Sequence, residues 1–538
     1  MSRFATHAKK LHGFWLEKKE NPKIWNNADA VCVVAGNKDE DAAGYQGSST
    51  VHRYLFGLDL PGTIVVVTEK EFIVLTSKKK KEILSPASAQ FSDDLKLTVI
   101  EKVKGDNQWS DNFTELTKAI QASLKGSVLA SLVKETPVGP FAAAWKATVD
   151  KSGVQVVSAS TGINLAVAVK SDEEIQNVKK ASYLSYKAIK AFSKRMWKVI
   201  DDDKGTFKHS ALAKDVDDDL DDPANRMGVS NADTDLVEPC YTPLVQSGSE
   251  CKVSINQSGE MENEDLSFDL ITCQLGARYD SYCSNIARTY FVNPPKCIER
   301  AYILLLEVQL ACLEAFKPGE PLMNVYQAAK LHIETHGKDL LEYFTPNCGS
   351  GIGLMIRDAS HVLSHKNKRI INAGMAFNLC IGFEAVPVIL ADKDVKKEKT
   401  GARALSKFTV MLADTVLLAD DGKVEVLTQS AKKNWSAVAQ TLDASSDEEE
   451  EESDPAKKEE SRREMRERMQ AEAQSKTLDL EQKRKEITKK KAAEMQQRNL
   501  AKKREVAGLA LPTKTEEDLK ISAYESITRI PTSSKPTR

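Results

Sequence analysis

Short apolar runs punctuated by polar turns occupy the first part of the chain. Between Ala28 and about Ser77, DAVCVVAG, GTIVVVT and EFIVLTS are rich in β-branched residues and bounded by turn formers, which predicts strands of an amino-terminal α/β domain. The period then changes. KSDEEIQNVKKASYLSYKAIKAFSKRMWKVID, from Lys170 on, repeats its apolar residues at helical spacing, and Ser171 followed by Glu174 carries a capping-box signature. A boundary is therefore expected near residue 170, with the first domain over residues 1–169. Further on, strands are predicted around Leu266 to Val292, helices over Cys297 to Phe316 and Leu322 to Phe344, and hairpin-like runs from Met375 to Leu427. That order of elements predicts one α+β domain over residues 170–443.

After Leu442 the periodic pattern stops. Asp447, Glu448, Glu449, Glu450, Glu451 and Glu452 form an unbroken acidic run, and Lys457 to Glu505 is nearly all Glu, Lys, Arg, Gln, Ala and Met. With so little apolar surface to bury, residues 444–538 are expected to be an acidic, then charged helical or disordered tail. Apolar a/d positions are not sustained, which argues against a coiled coil.

Composition adds three bounds. At 538 residues the chain is long enough for two or three cores. The formal charge of -2 conceals segregation into acidic and basic blocks, which points to charged partners met locally. Nine scattered cysteines without a CxxC pair fit a reducing compartment. No run approaches a membrane span, and MSRFATHAKK lacks a signal-peptide core, so a soluble intracellular protein with no membrane partner is expected.

The candidate chemistry is weak when each motif is taken alone. His332 and His336 share a helical face, but the intervening Glu is at the wrong offset for a zinc protease and no third ligand is evident, so solvent-facing residues are expected. His361 and His365 lie in HVLSHKNKR, read as a polar loop. The acids Asp201 to Asp203 and Asp217 to Asp222 lack calcium-loop spacing and are read as a solvated helix end in a loop-rich stretch. Lys78 to Lys81 are read as a solvated turn. Neither a nucleophile elbow nor a phosphate loop is present.

A frame emerges when distant motifs are combined. Gln274-Leu275-Gly276, Ser284-Asn285-Ile286-Ala287-Arg288-Thr289, Gly349-Ser350-Gly351-Ile352-Gly353-Leu354, GMAFNLC and Ala413-Asp414-Thr415 follow one another as do the motifs of dinuclear peptidases of the creatinase and methionine-aminopeptidase type. The chain resembles that superfamily, which implies a pita-bread fold for the second domain. In the superfamily two Asp, one His and two Glu hold two dications, whose mutual repulsion requires carboxylates. Carried over by this resemblance, the five ligand positions are Gln274, Asn285, Ser350, Cys380 and Ala413. No set of that kind balances two dications. The expectation is a pseudo-aminopeptidase with no catalytic residue, metal or cofactor.

A more particular resemblance covers about residues 4 to 440. YLFGLDLPGTIVVV, TSKKKKEIL, KKASYLSYK, SYCSNIARTY, LLEVQLACLEAF, PNCGSGIGL and LADTVLLADDG together are similar to the amino-terminal region of the large-subunit family of the FACT histone chaperone. The resemblance implies a non-catalytic chromatin protein that binds core histones during nucleosome reorganisation in transcription, replication and repair, in the nucleus and in indirect contact with nucleosomal DNA. The family's domain that pairs with the smaller FACT subunit is expected to be absent, as in a short paralogue, an isoform or a truncated form. Two other readings stay open: a regulatory decoy occupying the partners of the full subunit, and an active metallopeptidase with an unusual site. The acidic run Asp447 to Glu452 is a candidate histone-binding segment or a spacer, and Ser445, Ser446 and Ser453 beside it suit acidophilic kinases. Lys483, Arg484, Lys485, Lys489, Lys490 and Lys491, with Lys502 to Arg504 beyond them, are a candidate nuclear import signal or a charged helix balanced by its own Glu residues.

Overall fold

The continuous apolar runs of the amino-terminal lobe are strands covered on both faces. In the computed structural model, which describes residues 2–37, 47–92, 94–103, 109–202, 207–229, 234–253, 264–389 and 405–441, they form one six-stranded sheet. Its strands are β1 (Ala30–Ala35), β2 (Thr63–Val67), β3 (Glu71–Thr76), β4 (Lys96–Glu101), β5 (Val128–Ser131) and β6 (Gln155–Ser158), ordered β4-β3-β2-β1-β5-β6. Along β1, Val31 and Val33 enter one core with Phe4, Leu11 and Trp15 of helix Ser2–Lys18. Ala30, Cys32 and Val34 enter another with Phe113 and Trp145. Burial on both faces replaces the apolar/polar alternation of a half-exposed strand with an unbroken apolar run. The basic run Lys78 to Lys81 is not a turn: it opens helix Lys78–Leu84, and Lys80 donates to the Pro61 carbonyl.

Helix Asp172–Asp201 starts at Ser171 with both capping-box bonds made: the Ser171 side chain accepts from the Glu174 N–H, and Glu174 accepts from the Ser171 N–H. The strands that follow are β7 (Val237–Pro239), β8 (Leu244–Ser247), β9 (Leu270–Leu275), β10 (Ala277–Tyr279), β11 (Tyr282–Cys283), β12 (Ile286–Val292), β13 (Gly349–Gly351), β14 (Asp358–Val362), β15 (Ala376–Pro387), β16 (Lys407–Leu418), β17 (Val424–Val426) and β18 (Ala439–Gln440). A nine-stranded sheet runs β14-β13-β15-β16-β12-β9-β8, with β17 added on β16 and β18 on β12; β11-β10-β7 form a small second sheet. One face of the large sheet sends Leu379, Ile381, Leu412 and Val416 into a core shared with Ile298, Leu305 and Val308 of helix Lys296–Ala315 and Val325 and Ile333 of helix Met323–His336.

Residues 1–442 cluster as one compact unit, and the two lobes share a core. Tyr282, Ile352, Leu354 and Leu417 pack in the same cluster as Phe4 and Trp15. Polar contacts reinforce the seam: Arg3 lies 2.8 Å from Asp280, Asn164 donates to Asp358 at 3.1 Å, and Lys10 lies 3.6 Å from buried Glu174. The β10–β11 hairpin closes through Asp280 and Ser281, both with positive φ, as a two-residue turn of this twist demands. Asp280 is held there by Arg3 and by Asn177, which donates at 2.9 Å. No described helix is long and apolar enough to cross a membrane. All nine cysteines are free thiols.

Candidate functional site

Strand register brings the five predicted positions to one face of the large sheet. Gln274 on β9 lies opposite Ala287 on β12, Ala287 opposite Ala413 on β16, and Ala413 opposite Cys380 on β15. Directly paired residues share a face, so these four side chains form a row. Asn285 precedes Ala287 by two residues, and Ser350 on β13 pairs with Asn378, two before Cys380. The face is the one turned away from the two covering helices.

Polar and apolar groups share this face. Tyr241 donates to Asn285 Oδ1, and Asn285 Nδ2 donates to Asn378 Oδ1 at 3.1 Å. Ser350 is buried and its hydroxyl reaches the Gly351 carbonyl at 3.3 Å. Ala287, Met411 and Ala413 form a small apolar cluster with Val253 and Cys380 packed on it. Gln274 is 1% exposed, and among the described residues neither its Oε1 nor its Nε2 has a hydrogen-bond partner. Burial pushes the Cys380 thiol up to about 12, so at neutral pH it is protonated and a poor metal ligand. Among the described residues no group of three or more His, Cys, Asp or Glu is arranged to hold a metal ion.

The opposite face explains why the neighbouring residues belong to the frame. Arg288 and Asp414, next in sequence to Ala287 and Ala413, point into the core and meet at 2.7 Å, essentially without solvent exposure. Arg288 also donates to the Ala287 and Ala413 carbonyls at 2.8 Å each and to the Ala431 carbonyl at 3.1 Å. Asp414 accepts from Gln309 at 2.9 Å and from Thr428 and Lys433 at 2.7 Å. Burial alone would raise the Asp414 carboxyl, yet Arg288 and Lys433 hold it below its usual value. The node ties β12, β16, helix Lys296–Ala315 and the segment after β17 into one piece, and it does so whatever stands on the site face.

The remaining predicted residues scatter. His332 and His336 stack at 4.2 Å on an exposed helix face, His332 with Glu307 at 3.2 Å and His336 with the His332 carbonyl. His361 is not in a loop: it lies buried on β14, 2.6 Å from Asp358, because helix Ser160–Ala166 covers that strand. The acidic stretch is not loop-rich either. Asp201 ends helix Asp172–Asp201, as the helix-end reading expects, while Asp217 to Asp221 lie in helix His209–Asp221, where Asp219 is fully buried between Arg195 and Arg226. The acidic run Asp447 to Glu452, Ser445, Ser446, Ser453 and the basic residues from Lys483 to Arg504 lie outside the described residues, as does Asp203. Sequence reasoning missed Asn378, legible two residues before Cys380 in GMAFNLC, and Tyr241, which no motif marks.

Two lobes with this sheet and these motifs define a chain of the M24 metallopeptidase fold. The model of metallopeptidase family M24 matches residues 176–420. The solved Xaa-Pro dipeptidase from Bacillus anthracis superposes with a TM-score of 0.56 at 17% identity, covering 81% of this chain and 100% of that one. At that identity the likeness is one of fold. Within the fold, the model of the FACT complex subunit SPT16 N-terminal lobe domain matches residues 1–162, and the chain belongs to the family of FACT complex subunit SPT16. The Arabidopsis thaliana subunit is 31% identical over 442 residues, covering 80% of this chain and 39% of the relative; the Oryza sativa subunit is 32% identical over 450, covering 82% and 40%. The solved N-terminal domain of SPT16 from Cicer arietinum gives a TM-score of 0.73 at 29% identity, over 81% of this chain and 99% of that one. The chain thus spans about two-fifths of the length of the curated relatives it matches.

Proposed function

We propose that this chain is a non-catalytic histone-binding protein of the FACT type, built on a pseudo-aminopeptidase with lobes over residues 1–169 and 170–443. The observation that carries the reading is the row Gln274, Asn285, Ser350, Cys380 and Ala413. These are the positions at which the superfamily pattern calls for two Asp, a His and two Glu. What stands there is an orphaned amide, an amide tied to Tyr241, a hydroxyl, a protonated thiol and a methyl group. None supplies the negative charge that two dications require. The role left to such a module is binding, and core histones, in the nucleus and on chromatin, are the partners that membership of the FACT family suggests. The acidic run Asp447 to Glu452 adds a charged contact to basic histone surfaces, one that weakens with salt.

The test is binding of the purified chain to labelled histone dimers and tetramers across a salt series, with residues 1–443 in parallel. Binding by both places the activity in the two lobes. Binding by the longer chain alone moves it to the tail, and no binding by either defeats the proposal. Turnover of X-Pro peptides by protein carrying stoichiometric metal defeats the pseudo-enzyme reading.

A further inference from the structure

The long helix Asp172–Asp201 keeps one face in solvent, and its charge is one-sided. From Lys179 to Lys198 it carries Lys179, Lys180, Lys187, Lys190, Lys194, Arg195 and Lys198 and no acidic residue. Two of these are neutralised: Lys179 lies 2.8 Å from Glu425, and Arg195 pairs with Asp219. The other five lysines have no carboxylate partner among the described residues. The acidic helix His209–Asp221 beside them is itself partly compensated, Asp215, Asp218 and Asp219 meeting Lys214, Arg195 or Arg226.

At 100° per residue, Lys180, Tyr183, Lys187, Lys190, Lys194 and Lys198 fall within an arc of roughly 80°, and the stripe is about 27 Å long. Leu184, Ala188, Phe192 and Met196 fill the buried side of the same helix. Tyr183 is 48% exposed, with Lys187 Nζ 5.9 Å from its ring centroid. Lys190, Lys194 and Lys198 are spaced by four, where like charges repel on a helix, so folding does not account for the run. A straight row of ammonium groups with a tyrosine hydroxyl is suited to a stiff polyanion.

We propose that this lysine face binds the phosphate backbone of duplex DNA without reading its sequence. Duplex DNA carries a charge every 1.7 Å or so along a stiff axis, and neutralising it releases counterions. Lysine binds phosphate as a point charge, and no Arg, Asn or Gln stands on the stripe to read base edges. An acidic peptide, by contrast, would have to become ordered to follow the row. This surface lies on a different element from the amide row and does not depend on histone binding.

The experiment uses the full chain and a short labelled duplex, with affinity measured between about 50 and 200 mM salt. Lys187→Gln, Lys190→Gln and Lys194→Gln together are expected to flatten the slope of log K against log salt by about 0.9 per lysine, about 2.7 in all, and to weaken binding at 0.1 M salt roughly a hundredfold. The same three positions changed to Arg are expected to keep slope and affinity, which separates lost charge from a disturbed helix. An unchanged slope in the Gln variant overturns the proposal. So does a Gln variant that loses affinity for a polyglutamate peptide while keeping it for DNA, which would assign the face to an acidic protein.

Discussion

Gln274 stands at one end of the row on the site face, at a calculable cost to stability. It is 1% exposed, faces Ala287 on one neighbouring strand and Leu244 on the other, and leaves both ends of its amide unpartnered. A buried polar group without a partner costs about 1–3 kcal/mol. Methionine has nearly the same length and no amide to satisfy, and its flexible thioether adapts to the space. Gln274→Met is therefore expected to stabilise the folded chain by about 1–3 kcal/mol, counting the penalty once. For a unit of 442 residues, an unfolding entropy of about 2.1 cal/mol/K per residue gives about 0.9 kcal/mol/K, so the melting temperature should rise by about 1–3 °C. Scanning calorimetry of wild type and variant under identical conditions measures it. The proposed function adds that the gain comes with weaker histone binding, because an amide kept at such a cost is kept for a ligand. A Met variant that melts below wild type refutes the reasoning, since the amide would then already be hydrogen-bonded within the folded chain or to ordered water.

Asp414→Asn removes the charge opposing Arg288 in a solvent-free node and is expected to cost about 3–5 kcal/mol, read as a fall in the denaturation midpoint; an unchanged midpoint sinks the structural role given to the node. Burial lowers the pKa of His7, His12 and His52 in the amino-terminal lobe, that of His52 to about 4. Between that value and the usual 6.5 the unfolded chain binds the proton and the folded chain does not, so stability is fully present above about pH 6.5 and is lost as pH falls toward 4. For His52 the loss is of order 3 kcal/mol. Denaturant titrations at several pH values should show this slope, and His52→Gln should flatten it. Prolonged treatment with a chelator is expected to leave the melting temperature where it was, because a bound metal would have stabilised the fold by mass action; a drop would reveal a metal.

What the sequence disclosed was local. The runs around β1, β2 and β3 and the capping box at Ser171 involve residues within one element, so their periodicity and spacing suffice. Helix Ser2–Lys18 was open to the same reading in the 4-3-4 spacing of Phe4, Ala8, Leu11 and Trp15. Other features depended on partners far along the chain. His361 sits among polar neighbours and is buried only because Asn164, almost two hundred residues earlier, brings a helix over its strand. Asp219 resembles a solvated acid until Arg195, from the preceding long helix, is placed against it. In the site, the row could be assembled from motifs, but the orphaned state of Gln274 and the hydrogen bond from Tyr241 required the sheet register and the fold around it.

The period of two in a strand lets the frame and the site face vary separately. Arg288 and Asp414 face the core, while Ala287 and Ala413, one residue away, face the site, so the two sets can change independently. On the proposed reading, the site face once balanced two dications with four carboxylates. With the metals gone, those carboxylates would repel one another at close range and would either take up protons or destabilise the sheet. Replacing one at a time leaves the others still repelling; replacing all of them with neutral or apolar groups removes the repulsion. On that reading, a row in which every position is uncharged, above a core node in which Arg288 and Lys433 both meet Asp414, is what selection for fold and surface produces once the metal no longer matters.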